Sequence, residues 1–397
     1  MAPAFDGIRV LELGQIYNGP YCGLLFAQLG ADVIKVEPPG GEQLRFRAHL
    51  PVESHEFVML NSNKRSVVLD LKTDAGRQAL LDLVETADVL IENFAPGTME
   101  RLQLGAERLL EHNPRLIVAS GKGYGSIGPY AHMSAMDITV QAMSGSASAT
   151  GEPDGPPTKS GAAFVDFSGG IHLFAAISAA LFQRERTGRG QIVEVSMHDT
   201  IYPMLASSLG ALHNHPGREL PERTGNRHSG MAVAPYNIYQ ASDGWLAIIC
   251  ISERHWRGVA TALGRPELVD DPRFRTEKDR VVNIEAVDDA VNSYTRTRTR
   301  AELARDLQAA GVPCAPVKSI HEVDTDEHLI QRGMIKYVEH PVRGRVPVPG
   351  CPLNLSDSPV GPLRVAPPLG DSTAGVLAEL AGETLVNPEE PRHVVHA

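Results

Sequence analysis

Apolar positions in the first third of the chain form short runs separated by segments of helical period. Ile8–Leu13 (IRVLEL) is one such run, followed by a glycine-containing turn and a helical stretch near Tyr21–Leu29. Ala31–Val36 (ADVIKV) predicts the next strand. Thr73 stands where a helix N-cap belongs, and Leu80, Leu81 and Val84 supply that helix with an apolar face. Val89–Ile91 and Leu116–Ala119 are further strand candidates. Strands alternating with helices predict a parallel sheet covered on both faces.

The pattern changes near Gly225. WLAIICI (Trp245–Ile251) predicts a strand, with helices following near Arg254–Leu263 and Val287–Ser293. Another starts at Thr299, where Glu302 completes a capping box, and stops at Gly311 with Pro313 beyond. After about Val323 the chain is rich in Pro and Gly and lacks the pattern for a core of its own. The expected fold is therefore α/β. Residues 1–210 begin a large Rossmann-like domain, 211–322 form a linker and a smaller inserted α/β domain, and 323–397 return to complete the large one.

Charge narrows the function. With 48 acidic against 37 basic residues, the net charge of −11 argues against a general nucleic-acid binder. The four cysteines, Cys22, Cys250, Cys314 and Cys351, form no C-x-x-C pair, so reduced thiols are expected rather than a disulfide framework or a zinc site. The N-terminal MAPAFDGIRVLEL has no basic region and runs directly into a strand, which points to a cytoplasmic protein without a cleaved leader. The apolar stretch from Ala162 to Phe182 is broken by Asp166, two glycines and His172, as suits a core segment rather than a membrane span.

The first βα turn, GQIYNGP, has Gly14 and Gly19 five apart and no G-x-G-x-x-G, which argues against a nicotinamide dinucleotide. In SGAAFVDFSGGIHLFAAISAALFQRERTGRGQ, small and apolar residues surround Asp166, and Ser-Gly-Gly opens a helical run from Ile171 to Arg184. Burial would raise the pKa of this carboxyl, while a helix N-terminus would favour its anion. Residue pattern leaves two readings open, a helix cap and a nucleophile. Lys64, Arg65, Arg101 and Lys122 recur near element ends, where phosphates bind in parallel α/β sheets. His172 reads as a packed helix residue. His213 and His215 have no obvious co-ligands, so no metal is expected.

Taken in order, DGIRVLEL…GP, LGADVIKVEPPGG, NKRSVVLDLK, ADVLIENFAPGTMERLQLG, DITVQAMSG, the Asp166 segment with TGRGQIVEVSMHD, RTGNRH, GVPCAPV and RVAPPLGDST resemble the family III CoA-transferases. That group includes formyl-CoA:oxalate and carnitine CoA-transferases and the α-methylacyl-CoA racemases. The resemblance implies that Asp166 is a covalent nucleophile, forming an aspartyl anhydride and then an aspartyl-CoA thioester. It implies that Gln15, Ile16 and Tyr17 flank the thiol and pantetheine arm, and that Lys64, Asn93, Phe94, Arg101, Lys122 and Tyr124 line the CoA channel. CoA would enter as substrate, with no permanently bound cofactor, and two chains would interlock as a homodimer. Two features depart from the family pattern. Pro38 replaces a basic residue, leaving Arg45 or Arg47 to meet the phosphate, and the glycine-rich loop of oxalate-type transferases is not evident. Racemases of the group place a histidine where this chain has Met136, and a thioether cannot move protons. Transferase is therefore the expectation, with racemase and a non-catalytic CoA-binding protein as alternatives. The partners expected are an acyl-CoA and a small carboxylic acid.

Overall fold

The computed structural model describes residues 2–47, 52–214, 217 and 221–382. His215 lies outside the described residues. Six parallel strands make the main sheet: β1 (Arg9–Glu12), β2 (Asp32–Glu37), β3 (Arg65–Val68), β4 (Val89–Glu92), β5 (Ile117–Lys122) and β6 (Gln191–Ser196). Their order, β3-β2-β1-β4-β5-β6, is doubly wound. Among the described residues seven helices intervene: α1 (Asn18–Gln28), α2 (His55–Asn61), α3 (Asp74–Glu85), α4 (Thr98–Arg101), α5 (Ala106–His112), α6 (Asp137–Met143) and α7 (Phe164–Thr187).

Alternation along the strands builds two cores. Leu11, Ile34, Val36 and Leu90 face one way, onto Leu80, Leu83 and Val84 of α3 and Leu109 of α5. Val10, Val33, Val89, Ile91 and Ile117 face the other way, onto Cys22 and Phe26 of α1 and Leu173 and Ile177 of α7. Thr73 caps α3 as expected, its hydroxyl accepting from the Gly76 N–H. Among the described residues α7, with 24 residues, is the one helix long and apolar enough to cross a membrane. Its Leu173, Ile177, Ala180 and Leu181 instead pack in the core over the sheet.

Spatial proximity divides the chain into two units. Met1–Val140, Ala163–Thr200 and Glu327–Ala397 form one, and Gln141–Ala162 with Ile201–Asp326 form the other. The segment Gln141–Ala162, expected within the large domain of residues 1–210, groups with the second unit. In the first unit, the late hairpin β10 (Ile335–His340) and β11 (Gly344–Pro349) packs Val338, Val346 and Val348 against Leu24, Phe57 and Val58. The second unit holds an antiparallel sheet of β7 (Tyr236–Ala241), β8 (Gly244–Ile249) and β9 (Cys314–Pro316). Helices Glu253–Ala262, Ile284–Thr295 and Arg300–Ala309 cover it around Trp256, and the Thr299–Glu302 capping box is present.

One helix boundary differs from expectation. The helix predicted over Ile171–Arg184 begins at Phe164, so Asp166 lies inside its first turn rather than ahead of it. Gly169 and Gly170 looked like a helix opening. They sit instead where α1 crosses closely, and a Cβ on Gly170 would lie 2.7 Å from the Asn18 carbonyl oxygen. Each glycine costs about 1 kcal/mol of helix propensity, a penalty offset by the close packing.

Candidate active site

In a doubly wound sheet the connections diverge at the carboxyl ends of the strands where the order reverses, here β1 and β4, and leave a crevice between them. A cavity of about 380 Å³ opens at that point. Gln15, Ile16 and Asn18 line it after β1, Asn93–Pro96 after β4, Gly121–Gly125 at the end of β5, and Asp166 from α7. Gly14 and Gly19 serve the turn itself: a Cβ on Gly14 would lie 2.9 Å from the Gly19 Cα. Their spacing reflects strand and helix backbones in contact. Ile16 adopts φ of 64°, a left-handed conformation that is strained for a β-branched residue. Three hydrogen bonds hold it. Asn93 accepts from the Gln15 N–H at 2.8 Å and donates to the Gln15 carbonyl at 2.9 Å, while Glu42 accepts from the Ile16 N–H at 3.1 Å.

A buried charge cluster lies beneath this turn. The Lys35 ammonium meets Glu12 at 2.9 Å and donates to the Gly14 carbonyl at 2.9 Å. Lys64 pairs with the other Glu12 oxygen at 2.5 Å and donates to Asn61 and to the Pro20 carbonyl. Burial pushes Glu12 up, but the two ammonium groups outweigh it and leave its pKa below the ordinary value. Burial brings Lys64 down to about 8, with Glu12 opposing the shift and Lys35 adding to it. Gly23 is required here, since its Cβ would lie 2.5 Å from a Glu12 oxygen.

Asp166 is partly buried at the cavity, and among the described residues no donor reaches its carboxylate. The N-cap position of α7 is Ala163, which provides no side-chain cap. Asp137 does that work from outside the helix, accepting from the Val165 N–H at 3.0 Å and the Asp166 N–H at 3.3 Å. Burial, and secondarily the Asp137 charge, push the Asp166 pKa up to about 7. Asp137 rather than Asp166 therefore accepts from the N–H groups at the start of α7. A carboxylate that is poorly hydrated, unpartnered and basic for its type can act as a nucleophile.

Comparison with known proteins identifies the family. The family model for CoA-transferase family III matches residues 5–373. The chain belongs to CoA-transferase family III. It is 38% identical over 408 residues to a formyl-CoA:oxalate CoA-transferase of Streptomyces avermitilis, covering 99% of this chain and 98% of that one. It is 39% identical over 355 residues to an acetyl-CoA:oxalate CoA-transferase of Acetobacter aceti, covering 89% of each. A CaiB/BaiF family protein of Brucella suis superposes with a TM-score of 0.84 at 35% identity, over 96% of this chain and all of that one.

Within this CoA-transferase, the cavity brings together Asp166, Gln15, Ile16, Asn93, Phe94, Lys122 and Tyr124. Lys122 lies against Glu92 at 2.7 Å and donates to the Phe94 carbonyl at 3.0 Å, so its charge is already partly compensated. Three residues expected at the site lie outside the lining. Tyr17 stacks on Phe167, next to Asp166, with ring centroids 5.7 Å apart, and its hydroxyl accepts from Arg47. Arg101 is exposed on α4 and donates to the Pro96 carbonyl and the Thr98 hydroxyl. Lys64 is buried and committed to Glu12, which removes it from the channel. Arg45, a candidate to replace the base missing at Pro38, is likewise fully buried against Glu37, leaving Arg47 exposed for such a role. His172 is exposed rather than packed, its ring nitrogen 2.8 Å from the Ser168 carbonyl. Asn18, Gln43 and Met197 line the cavity without having been singled out in the sequence, since nothing in their local pattern sets them apart.

Proposed function

We propose that this protein moves CoA from an acyl-CoA thioester to a small carboxylic acid through covalent intermediates on Asp166. The carboxylate attacks the thioester carbonyl and expels CoA thiolate, leaving an aspartyl–acyl anhydride. The thiolate attacks the aspartyl carbonyl of that anhydride, releasing the donor acid and forming an aspartyl-CoA thioester. The acceptor carboxylate then attacks this thioester, and the returning thiolate takes the acceptor's acyl carbon from the second anhydride, restoring Asp166. No proton transfer to carbon is required. The observation that carries this reading is the unpartnered Asp166 carboxyl in the cavity, relieved of capping by Asp137.

Gln15, Ile16, Asn93, Phe94 and Tyr124 would enclose the pantetheine end, with Lys122 and Arg47 offering cationic groups to the nucleotide end. The names of the relatives support oxalate as acceptor and formyl-CoA or acetyl-CoA as donor, and succinyl-CoA and other small dicarboxylates are further candidates for the same chemistry. Free cysteines suit a cytoplasmic setting. We also take the active form to be an interlocked homodimer, a reading supported by exposed Ile171 and Phe182 on α7. The deciding test is incubation with an acyl-CoA followed by hydroxylamine. A hydroxamate mass should appear on the Asp166 peptide, and Asp166→Ala should abolish both that mass and CoA exchange while still binding CoA. Near wild-type exchange in Asp166→Ala would refute the reading.

A further inference from the structure

Asn18 stands out among the cavity residues by what it lacks. The residue is 3% exposed, yet among the described residues neither Oδ1 nor Nδ2 has a hydrogen-bond partner. Burying a carboxamide unpaired costs stability with no structural return. The surroundings nevertheless make room for it. A Cβ on Gly121 would lie 2.3 Å from Oδ1, and one on Gly169 would lie 2.2 Å from Nδ2. Gly169 follows Asp166 by three residues on α7, so the two share one helix face a turn apart. The neighbouring Asn93 shows the contrast, because its amide is spent in both directions on the Gln15 backbone.

We infer that Asn18 is an oxyanion donor for the reaction at Asp166, an assignment that rests on the nucleophilic reading of that residue. When the Asp166 oxygen bonds to the thioester carbon, the carbonyl π pair moves onto oxygen, and the Asn18 N–H donates to the resulting oxyanion. Collapse re-forms the carbonyl and the C–S pair leaves as CoA thiolate. Asn18 neither gains nor loses a proton. Its buried position in the lining shared with Asp166 suits this role, because a donor held in place and not spent on another partner needs little reorganisation during the step. Two glycines without side chains at the contact keep the amide in place without occupying its hydrogen-bonding capacity.

The test compares wild type, Asn18→Ala, Asn18→Asp and Asp166→Ala with formyl-CoA, acetyl-CoA and succinyl-CoA, each with oxalate. Three quantities are measured: the rate of hydroxamate formation on the Asp166 peptide, CoA affinity by calorimetry, and melting temperature. Both Asn18 variants should form hydroxamate about 10²–10³-fold more slowly, the usual cost of losing one oxyanion donor. CoA affinity should hold, and Asn18→Ala should melt no lower than wild type, an outcome that a purely structural asparagine would not produce. The isosteric Asn18→Asp keeps the shape and removes the donor, covering the case in which the alanine variant folds poorly. Wild-type hydroxamate rates in either variant overturn the assignment and leave the nucleophile standing. Wild-type enzyme that forms no hydroxamate with any donor overturns the nucleophile and this assignment with it.

Discussion

Replacing Asp166 by asparagine should stabilise the protein as it inactivates it. A carboxyl that titrates at about 7 instead of 3.8 is held back from ionising by its surroundings. That difference corresponds to at most about 4 kcal/mol, and screening at the partly exposed cavity mouth reduces it to about 2 kcal/mol. The folded-state pKa is raised, so between pH 3.8 and about 7 the folded protein holds more protons than the unfolded chain, and stability falls as pH rises through that window. Below it both states are protonated. Above it both are ionised and the full penalty applies. Asparagine carries no such penalty and preserves the shape. At about 1 °C per kcal/mol for a chain of this size, Asp166→Asn should melt about 2 °C higher than wild type at pH 8. The gap should close towards pH 4, as followed by calorimetry across the range. An increment that is absent, or that does not change with pH, would show that Asp166 is not held at a raised pKa, and the electrostatic argument for its nucleophilicity would fall with it.

The same carboxyl must be ionised to attack, so kcat/KM should rise with pH through an apparent pKa near 7 and level off above it, as an initial-rate profile would show. An acid limb near 4 would contradict this. Lys64→Met leaves Glu12 paired with Lys35 but strips the buried Asn61 and Pro20 carbonyl oxygens of their donor, and should cost about 1–3 kcal/mol in denaturant unfolding, while CoA affinity of the folded fraction stays near wild type. A selective loss of CoA binding would return Lys64 to the channel. Because Met136 lines the cavity and offers no proton-transfer base, a 2-methylacyl-CoA should keep its α-hydrogen in deuterated water without an acceptor acid, as read by mass spectrometry. Rapid exchange would revive the racemase alternative. An interlocked dimer should give a single dimeric mass by light scattering down to micromolar protein, with dissociation coupled to unfolding.

Local sequence determined the elements whose signals are local. Ile8–Leu13, Ala31–Val36 and Val89–Ile91 are apolar runs too short for helices, and they became β1, β2 and β4. Thr73 and Thr299 carry their capping partners within three residues, so both helix starts were legible. Only tertiary structure decided where α7 begins, because its interior glycines reflect the nearness of α1, a contact between residues about 150 positions apart. It also decided which charges serve the cavity. Lys64, Arg45 and Lys122 look alike in a sequence, but burial against Glu12 and Glu37 commits the first two, while Lys122 lines the cavity beside Glu92. Asp166 was readable as either cap or nucleophile because that choice depends on Asp137, 29 residues earlier and brought to the start of α7 by the fold. Asn18 had no signal at all, since an unmet hydrogen-bonding group exists only once its surroundings are assembled.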